Sequence, residues 1–277
     1  MAIVSTLWTQ WLKMKSTSVK PKPSTVEPSE ESDRSAVKSL AKALDLLEVV
    51  ATAERAPTIA EAAIVTGVAR TTAYRLVEAL VAEGYLVQDQ VDGRLSIGFA
   101  VLPLAASLLD SNRMRVEALP HLEALARRTG TRVNLGILYR SRVLYLAGVE
   151  KPSLPTIYSR FGKTAPAHCC SLGKAILAYL PEADVRTLVA ATGLAAQTPN
   201  SITALKRFLR DLAETHARGY AIDREEHLLG TFCVAATIFD SRRRPVGAIG
   251  LSGSELEPLI AETPNLRHTV EVISHVL

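Results

Sequence analysis

The segment FGKTAPAHCCSLGKA, residues 161–175, combines residue types that often carry out chemistry. Its two Gly-Lys pairs suggest a phosphate-binding loop, and the run His168-Cys169-Cys170 suggests a thiol nucleophile with a base, or a metal site. The segment could therefore form a catalytic centre or the wall of a pocket that only binds a ligand. The two interpretations make different demands on the rest of the chain.

The Gly-Lys pairs do not satisfy the phosphate-loop pattern. That pattern, G-x-x-x-x-G-K-[ST], places a first glycine five residues before the second one. The residue at that position is Ile157 for the pair that begins at Gly162, and His168 for the pair that begins at Gly173. Neither pair is predicted to hold a phosphate.

The His-Cys-Cys run is a weak candidate for catalysis or metal binding. Adjacent residues on an extended strand point to opposite faces, so a Cys169 or Cys170 thiolate would need a base other than His168. No C-x-x-C spacing occurs among Cys169, Cys170 and Cys233, which argues against a zinc ribbon or a disulfide framework. The segment GLSGS, 250–254, lacks the last glycine of G-x-S-x-G. We expect reduced buried thiols, no metal and no cofactor, and keep an enzyme that uses Cys169, Cys170 or His168 as the alternative function.

The length and composition indicate two modest domains without a membrane partner. The chain has 277 residues, and charges interrupt every apolar run before the roughly 18 residues that a membrane span needs. The N-terminus shows no continuous apolar signal-peptide core, so we expect a cytoplasmic protein. A net charge of +4 points weakly to an anionic partner.

The first 34 residues are predicted to be a disordered tail, because they are rich in Ser, Pro, Lys and Glu. Trp8 and Trp11 form a short amphipathic patch there, which is either a docking helix or part of an unstructured tail. Met14 is an alternative start.

Residues 35–98 carry the pattern of a winged helix-turn-helix domain. Val37, Leu40, Ala41, Leu44 and Leu47 recur at helical spacing in a first helix that ends near Ala53. Thr58 and Glu61 form the capping-box pattern at the start of a second helix, which Gly67 ends. A third helix follows, and the turn at Asp92-Gly93 joins two short strands that form the wing.

The third helix is predicted to bind double-stranded operator DNA. A recognition helix needs short polar and basic side chains in its first turns, where they reach base edges and phosphates. The candidate DNA-binding residues are Arg70, Thr71, Thr72, Tyr74 and Arg75 on this helix, Arg94 on the wing, and Lys38 on the first helix. Acidic residues outnumber basic ones between 35 and 98, so affinity would depend on local clustering and on a dimer. The alternative is a winged helix that contacts proteins.

The rest of the chain is predicted to be a linker helix over 99–115 and an α+β domain over 116–277. Strands are expected at 132–139, 142–150, 220–223, 232–240 and 244–253, with helices at 116–130, 171–180, 201–219 and from about Pro258. This order favours antiparallel pairs over the βαβ alternation of a dinucleotide fold.

The chain resembles the IclR family of bacterial transcriptional regulators from about Ala36 to its end. The motifs that carry the resemblance are TIAEAAIVTGVARTTAYRLVEALVAEGYL at 58–86, APAHCCSLGKAILA at 165–178, RGYAIDREEHLLGTFCVAATIFD at 218–240 and PVGAIGLSG at 245–253. The resemblance implies a DNA-binding homodimer, or a dimer of dimers, with a GAF-like C-terminal domain that senses a small molecule.

The second motif then becomes a pocket wall. Ser171 is a good helix N-cap, and the backbone N–H groups of Ser171, Leu172 and Gly173 would favour a carboxylate. The resemblance implies that this turn lines the effector cavity and that Asp223, Cys233 and Ser252 face it. Gly250 departs from relatives that carry a hydroxyl residue there. With a surplus of Lys and Arg after residue 98, the sequence predicts a sequence-specific DNA-binding regulator, a repressor, controlled by a small organic acid.

Overall fold

The computed structural model describes residues 30–150 and 162–277. The Trp8–Trp11 patch and most of the predicted tail lie outside these residues. The chain divides into two compact units, one up to Leu104 and one from Ala105. None of the described helices is both long and apolar enough to cross a membrane.

The N-terminal unit is a winged helix-turn-helix. Its elements are α1 (Glu30–Thr52), α2 (Ile59–Thr66), α3 (Arg70–Ala82), β1 (Leu86–Gln88) and β2 (Leu95–Ile97). The helix α1 begins at Glu30, so the end of the tail at residue 34 was placed too late; a polar first turn carries no apolar periodicity to mark it.

The turn signals in this unit are confirmed. The Thr58 N–H donates to Glu61 Oε2 at 2.7 Å, and the Glu61 N–H donates to Thr58 Oγ1 at 3.3 Å, which completes the capping box. Gly67 ends α2 with φ of 67°, a left-handed conformation that glycine adopts without strain. The two strands pair antiparallel as a short wing.

The first apolar stripe does not form the core of the unit. Val37, Leu40 and Leu44 are 68%, 61% and 55% exposed, whereas Leu46 and Val50 of the same helix are buried. The stripe is real at helical spacing, but burial against α2 and α3 uses a neighbouring face of α1. An exposed apolar stripe therefore remains on this helix.

The linker helix is shorter than predicted. It is α4 (Val101–Ser111), and the next helix, α5 (Arg113–Thr129), begins two residues later. Asn112 separates the two helices, because its side chain caps α5 by accepting a hydrogen bond from the Arg115 N–H at 2.9 Å. The predicted boundary at 115/116 thus falls inside α5.

The C-terminal unit is built on one antiparallel sheet of six strands in the order β5-β4-β3-β8-β7-β6. The strands are β3 (Arg132–Tyr139), β4 (Arg142–Val149), β5 (Thr164–Pro166), β6 (Ala221–Arg224), β7 (Phe232–Phe239) and β8 (Pro245–Gly253). The remaining helices are α6 (Ser171–Leu177), α7 (Glu182–Thr192), α8 (Leu205–Arg218), α9 (Leu256–Ala261) and α10 (Thr263–Val276). The predicted α+β class is confirmed, whereas the single last helix is in fact two, broken at Glu262.

Alternation along the strands fills a core on each face of this sheet. Leu135, Val234 and Ile249 face one side with α5, α9 and α10. Ala235 and Ala248 face the other side with α6, α7 and α8. The short side chains on the second face let α6 approach the sheet closely, and the candidate cavity lies beside this helix.

Candidate DNA interface and effector cavity

The outward face of α3 presents most of the predicted DNA-binding residues. Arg70, Thr71, Tyr74 and Arg75 are exposed, and Thr72 is half-buried. The buried side chains of Ala73 and Val77 fix this orientation, because they place the opposite face of the helix in the core. Arg70 also lies over the Tyr74 ring, with its guanidinium carbon 5.9 Å from the ring centroid.

The two other predicted DNA contacts, Lys38 and Arg94, differ in whether the side chain already has partners within the protein. Lys38 is exposed on α1. Arg94 donates to the Ala56 carbonyl and lies 3.3 Å from Asp92 and 3.6 Å from Glu61. Its guanidinium ties the wing to the start of α2, so a phosphate would have to compete with these partners.

Strand register brings the predicted effector residues together. Asp223 on β6 pairs with Cys233 on β7, which pairs with Ser252 on β8. Paired residues share a face of the sheet, so the three side chains form one row. Cys233 Sγ lies 3.2 Å from Ser252 Oγ, and the Asn134 amide on β3 donates to the same hydroxyl at 3.4 Å.

This row forms part of a small polar cavity. The empty space at this site, open solvent included, is about 390 Å³, and only a small part of it is wide enough for a water molecule. The cavity is lined by Asn134, Tyr145, Cys170, Ser171, Leu172, Asp223, His227, Leu228, Thr231, Cys233, Gly250 and Ser252. Five of the six predicted effector residues are in this set, and Gly173 is not.

The start of α6 departs from the prediction in two ways. The N-cap is Cys170 rather than Ser171, because Ser171 is already the first helical residue of α6. The Cys170 side chain makes no capping hydrogen bond. Gly173 packs against the backbone of the 3-10 turn Ala167–Cys169, where an added Cβ would lie 2.1 Å from the Ala167 oxygen. The role of Gly173 is thus to let α6 approach this turn.

Leu172 of α6 packs against two glycines of the sheet. Its Cδ1 would lie 3.2 Å from a Cβ added to Gly136 on β3, and its Cδ2 would lie 3.2 Å from one added to Gly250 on β8. Two glycines therefore make room for one leucine. A residue larger than glycine at position 250 would have to displace this leucine.

Asp223 is the carboxyl group of the cavity wall and is 2% exposed. It accepts a bond from the Glu226 N–H at 2.7 Å. Burial is the main reason that the pKa of Asp223 is raised to about 7; the charge of Glu226 adds to the rise, and that backbone bond and Lys174 oppose it. The group can therefore exchange a proton near neutral pH.

A buried ion cluster lies behind the cavity wall. Lys174 on α6 is fully buried, and its Nζ lies 2.6 Å from Glu226 Oε1 and 3.1 Å from Asp211 Oδ2. Burial raises the pKa of Glu226, while the Lys174 ammonium opposes that rise. Two carboxylates thus share one ammonium, and neither of these two ion pairs of Lys174 includes Asp223.

The thiols and His168 are poorly suited to catalysis. Burial raises the pKa of Cys169 to about 12, and burial also raises that of Cys170. Burial lowers the pKa of His168, whose Nε2 lies 3.0 Å from the Ala195 carbonyl oxygen. His168 and Cys169 lie in the 3-10 turn and not on the extended strand that the sequence suggested, and Cys170 follows the turn as the N-cap of α6. Within residues 30–150 and 162–277, no group of three or more His, Cys, Asp or Glu could hold a metal ion.

Sequence reasoning missed Asn134, Tyr145, His227 and Thr231 as cavity residues. Asn134 carries a signal, since it is a polar residue between the apolar Val133 and Leu135 of a central strand. The other three offered none, because only the pairing of distant strands brings them to one place.

Comparisons with known proteins agree with this architecture. The family model of the IclR helix-turn-helix domain matches residues 39–90, and that of the bacterial transcriptional regulator IclR C-terminal domain matches 106–275. The glycerol operon regulatory protein of Streptomyces coelicolor is 35% identical over 79% of this chain and 85% of its own. The transcriptional repressor IclR of Escherichia coli K12 is 33% identical over 78% of this chain and 80% of its own.

A solved structure with a bound ligand is also similar. It is an IclR homologue from Microbacterium hydrocarbonoxydans in complex with 4-hydroxybenzoate, 25% identical, with a TM-score of 0.68 over 86% of this chain and 98% of that one. The family and these relatives are transcriptional regulators and not enzymes, so the alternative function through Cys169, Cys170 or His168 is set aside. With matches in both units, the chain belongs to the IclR family of bacterial transcriptional regulators.

Proposed function

We propose that this regulator is a repressor that binds an operator through α3 and responds to a small organic acid in the cavity beside α6. The observation that carries the effector assignment is the row of Asp223, Cys233 and Ser252, which three strands place on one cavity wall. The repressor name of the Escherichia coli relative supports the sign of regulation.

On the DNA side, Arg70, Thr71, Thr72, Tyr74 and Arg75 would contact the major groove. Their exposure on one helix, opposite a buried apolar face, supports this role. Exposed Lys38 would add a phosphate contact. Arg94 would do so as well if a phosphate displaced its internal partners.

We also propose that the protein works as a homodimer or a dimer of dimers. Val37, Leu40 and Leu44 on α1, and Leu104 and Leu108 on α4, are all more than half exposed. Apolar stripes of this kind on helices favour burial against a partner, and a second copy would double the DNA contacts of a domain with an acidic balance. Because an operator lies in the bacterial cytoplasm, the protein would act there.

The ligand is proposed to be a small aromatic or aliphatic carboxylate. A structural neighbour holds 4-hydroxybenzoate, which is such an acid. The hydroxyls of Ser171, Ser252, Thr231 and Tyr145 and the Asn134 amide offer neutral hydrogen-bond donors around the cavity.

One set of titrations tests the proposal. Operator fragments selected from random DNA by the full-length protein are titrated at fixed salt, with and without benzoate, 4-hydroxybenzoate and acetate. Arg70→Ala with Arg75→Ala should weaken binding, each residue contributing about 1–3 kcal/mol if it contacts a base edge. The control is Arg127→Ala with Arg186→Ala, two exposed arginines of the C-terminal unit.

The effector half of the proposal has its own variants. Leu172→Trp should fill the cavity and abolish release of the operator by the acid, whereas the exposed Thr187→Trp on α7 should not. Unchanged operator affinity in the double arginine variant would contradict the DNA assignment. Acid-induced release that survives Leu172→Trp would move the ligand to another site.

A further inference from the structure

Within residues 30–150 and 162–277, neither a lysine nor an arginine lines the cavity that is proposed to bind an acid. Among the described lining residues, Asp223 is the one that carries a carboxyl group. An organic acid enters as an anion, and burial of two carboxylates side by side without a cation is strongly unfavourable. The proposed ligand therefore needs a source of charge compensation inside the cavity.

The groups around Asp223 do not supply a cation. Glu226, in the loop after β6, donates its N–H to Asp223 but carries a carboxylate. Lys174 on α6 is committed to Glu226 and to Asp211 of α8. Cys169 and Cys170, before α6, keep their protons because burial raises their pKa values. Cys233 on β7 faces Ser252, and His227 Nδ1 lies 3.8 Å from Cys169 Sγ.

Asp223 differs from its acidic neighbours in its partners. Glu226 and Asp211 each have the Lys174 ammonium within 3.1 Å. No ion pair to Asp223 occurs in the described part of the chain, where backbone N–H groups of Glu226 and His227 interact with its carboxyl. Of the three carboxyl groups around Lys174, it is the one that lines the cavity and the one without an ion pair among the described residues.

We propose, on the basis of the proposed acid effector, that Asp223 determines the specificity of the cavity by binding the effector as a neutral carboxyl group. An ionised Asp223 takes up one proton from solvent, and its O–H then donates to the carboxylate of the incoming acid. No bond other than the O–H bond forms or breaks, and the pair holds one negative charge. The effector thus enters with a proton in place of a metal or an arginine.

This arrangement makes binding dependent on pH with a defined sign. With a pKa near 7 in the free protein, Asp223 is already neutral at pH 6, so the dissociation constant should be flat below that pH. Above about pH 7 each acid molecule must bring a proton, and the dissociation constant should rise by up to tenfold per pH unit. Neutral analogues of the same shape should show no such slope.

Calorimetry with the full-length protein measures this proton directly. Benzoate, phenylacetate, 4-hydroxybenzoate and acetate, with the corresponding amides, are titrated from pH 6 to 8.5 in buffers of different ionisation enthalpy. We expect uptake to approach one proton per carboxylate at pH 8.5 and to fall towards zero at pH 6. The amide of Asp223→Asn can still accept a bond from the Glu226 N–H and donate one to a carboxylate. The affinity constant of this variant should therefore change by less than about twofold between pH 6 and 8.5, and binding should take up no proton.

A second variant and two distinct negative results complete the test. His227→Gln should keep the slope, because the proton is assigned to Asp223; a slope that disappears in this variant and persists in Asp223→Asn overturns the proposal. Carboxylate binding without proton uptake in the unmodified protein also overturns it and leaves the acid effector standing. If only neutral compounds bind, the acid effector itself is wrong, and the inference fails with it.

Discussion

Gly173 gives the sharpest test of how α6 is positioned. Alanine normally stabilises a helix by about 1 kcal/mol relative to glycine. Here the added Cβ would lie 2.1 Å from the oxygen, 2.5 Å from the Cα and 2.7 Å from the carbonyl carbon of Ala167. These atoms belong to the backbone, so no side-chain rotation relieves the overlap, and either the helix or the 3-10 turn must move.

The two effects can be compared in magnitude. Overpacking costs typically about 1–3 kcal/mol, and a backbone overlap of this depth belongs at the upper end. Subtracting the gain in helix propensity leaves Gly173→Ala destabilised by about 2 kcal/mol. For a unit of this size that corresponds to a fall in melting temperature of about 4–8 °C. The unit that runs from Ala105 to the C-terminus is the one affected.

Thermal and urea unfolding followed by circular dichroism check the value. The control is Gly253→Ala, since an added Cβ there meets the Leu259 side chain at 3.4 Å, an ordinary contact, and should change stability by less than about 0.5 kcal/mol. Displaced α6 should also weaken effector binding in Gly173→Ala. A Gly173→Ala protein that melts at or above the unmodified temperature would refute the packing role and return this glycine to the ligand site.

Two further predictions concern the buried charges. Lys174→Met should lower the free energy of unfolding by about 3–5 kcal/mol, because it leaves the carboxylates of Glu226 and Asp211 without their shared ammonium. In urea titrations, the triple variant that adds Glu226→Gln and Asp211→Asn should recover most of this loss. If Lys174→Met does not destabilise the protein, the ion cluster is contradicted. Folding raises the Asp223 pKa from 3.8 to about 7, so the unmodified protein should lose stability relative to Asp223→Asn as pH rises from about 4 to about 7, with no further change above that. An unmodified protein that gains stability relative to Asp223→Asn over this interval in urea titrations would contradict the raised pKa.

Local signals in the sequence were enough for the winged helix-turn-helix. The capping box at Thr58 and Glu61 and the left-handed Gly67 are determined by residues close in the chain, and the structure has both. The helix α7 was missed although Pro181 precedes it and two acidic residues occupy its first turn, which are ordinary start signals. The strand β5 was missed because three residues carry no period, and only pairing with β4 makes them a strand.

Motifs that resemble the family named several residues that line the cavity. Local chemistry alone was a poorer guide to what each residue contacts. Serine is a common N-cap residue, so Ser171 was predicted to be the N-cap of α6. The 3-10 turn before the helix makes Cys170, one residue earlier, the N-cap. Gly173 was predicted as a ligand contact; it is not among the lining residues of the cavity, and the close approach of Ala167 requires a glycine there. In both cases the path of the preceding segment, rather than the residue type, decides what the helix terminus contacts.

The lysine of the second Gly-Lys pair shows why such a motif misleads. The pair Gly173-Lys174 suggested a phosphate-binding loop, and lysine is usually exposed and able to bind an anion. In the fold its anionic partners are internal, Asp211 on α8 and Glu226 after β6, and neither is near it in sequence. Because these two acids form its ion pairs, Lys174 only partly opposes the rise in the Asp223 pKa that burial causes. The lysine that first suggested anion binding therefore stabilises the acids behind the cavity wall and forms no ion pair with the acid on the wall.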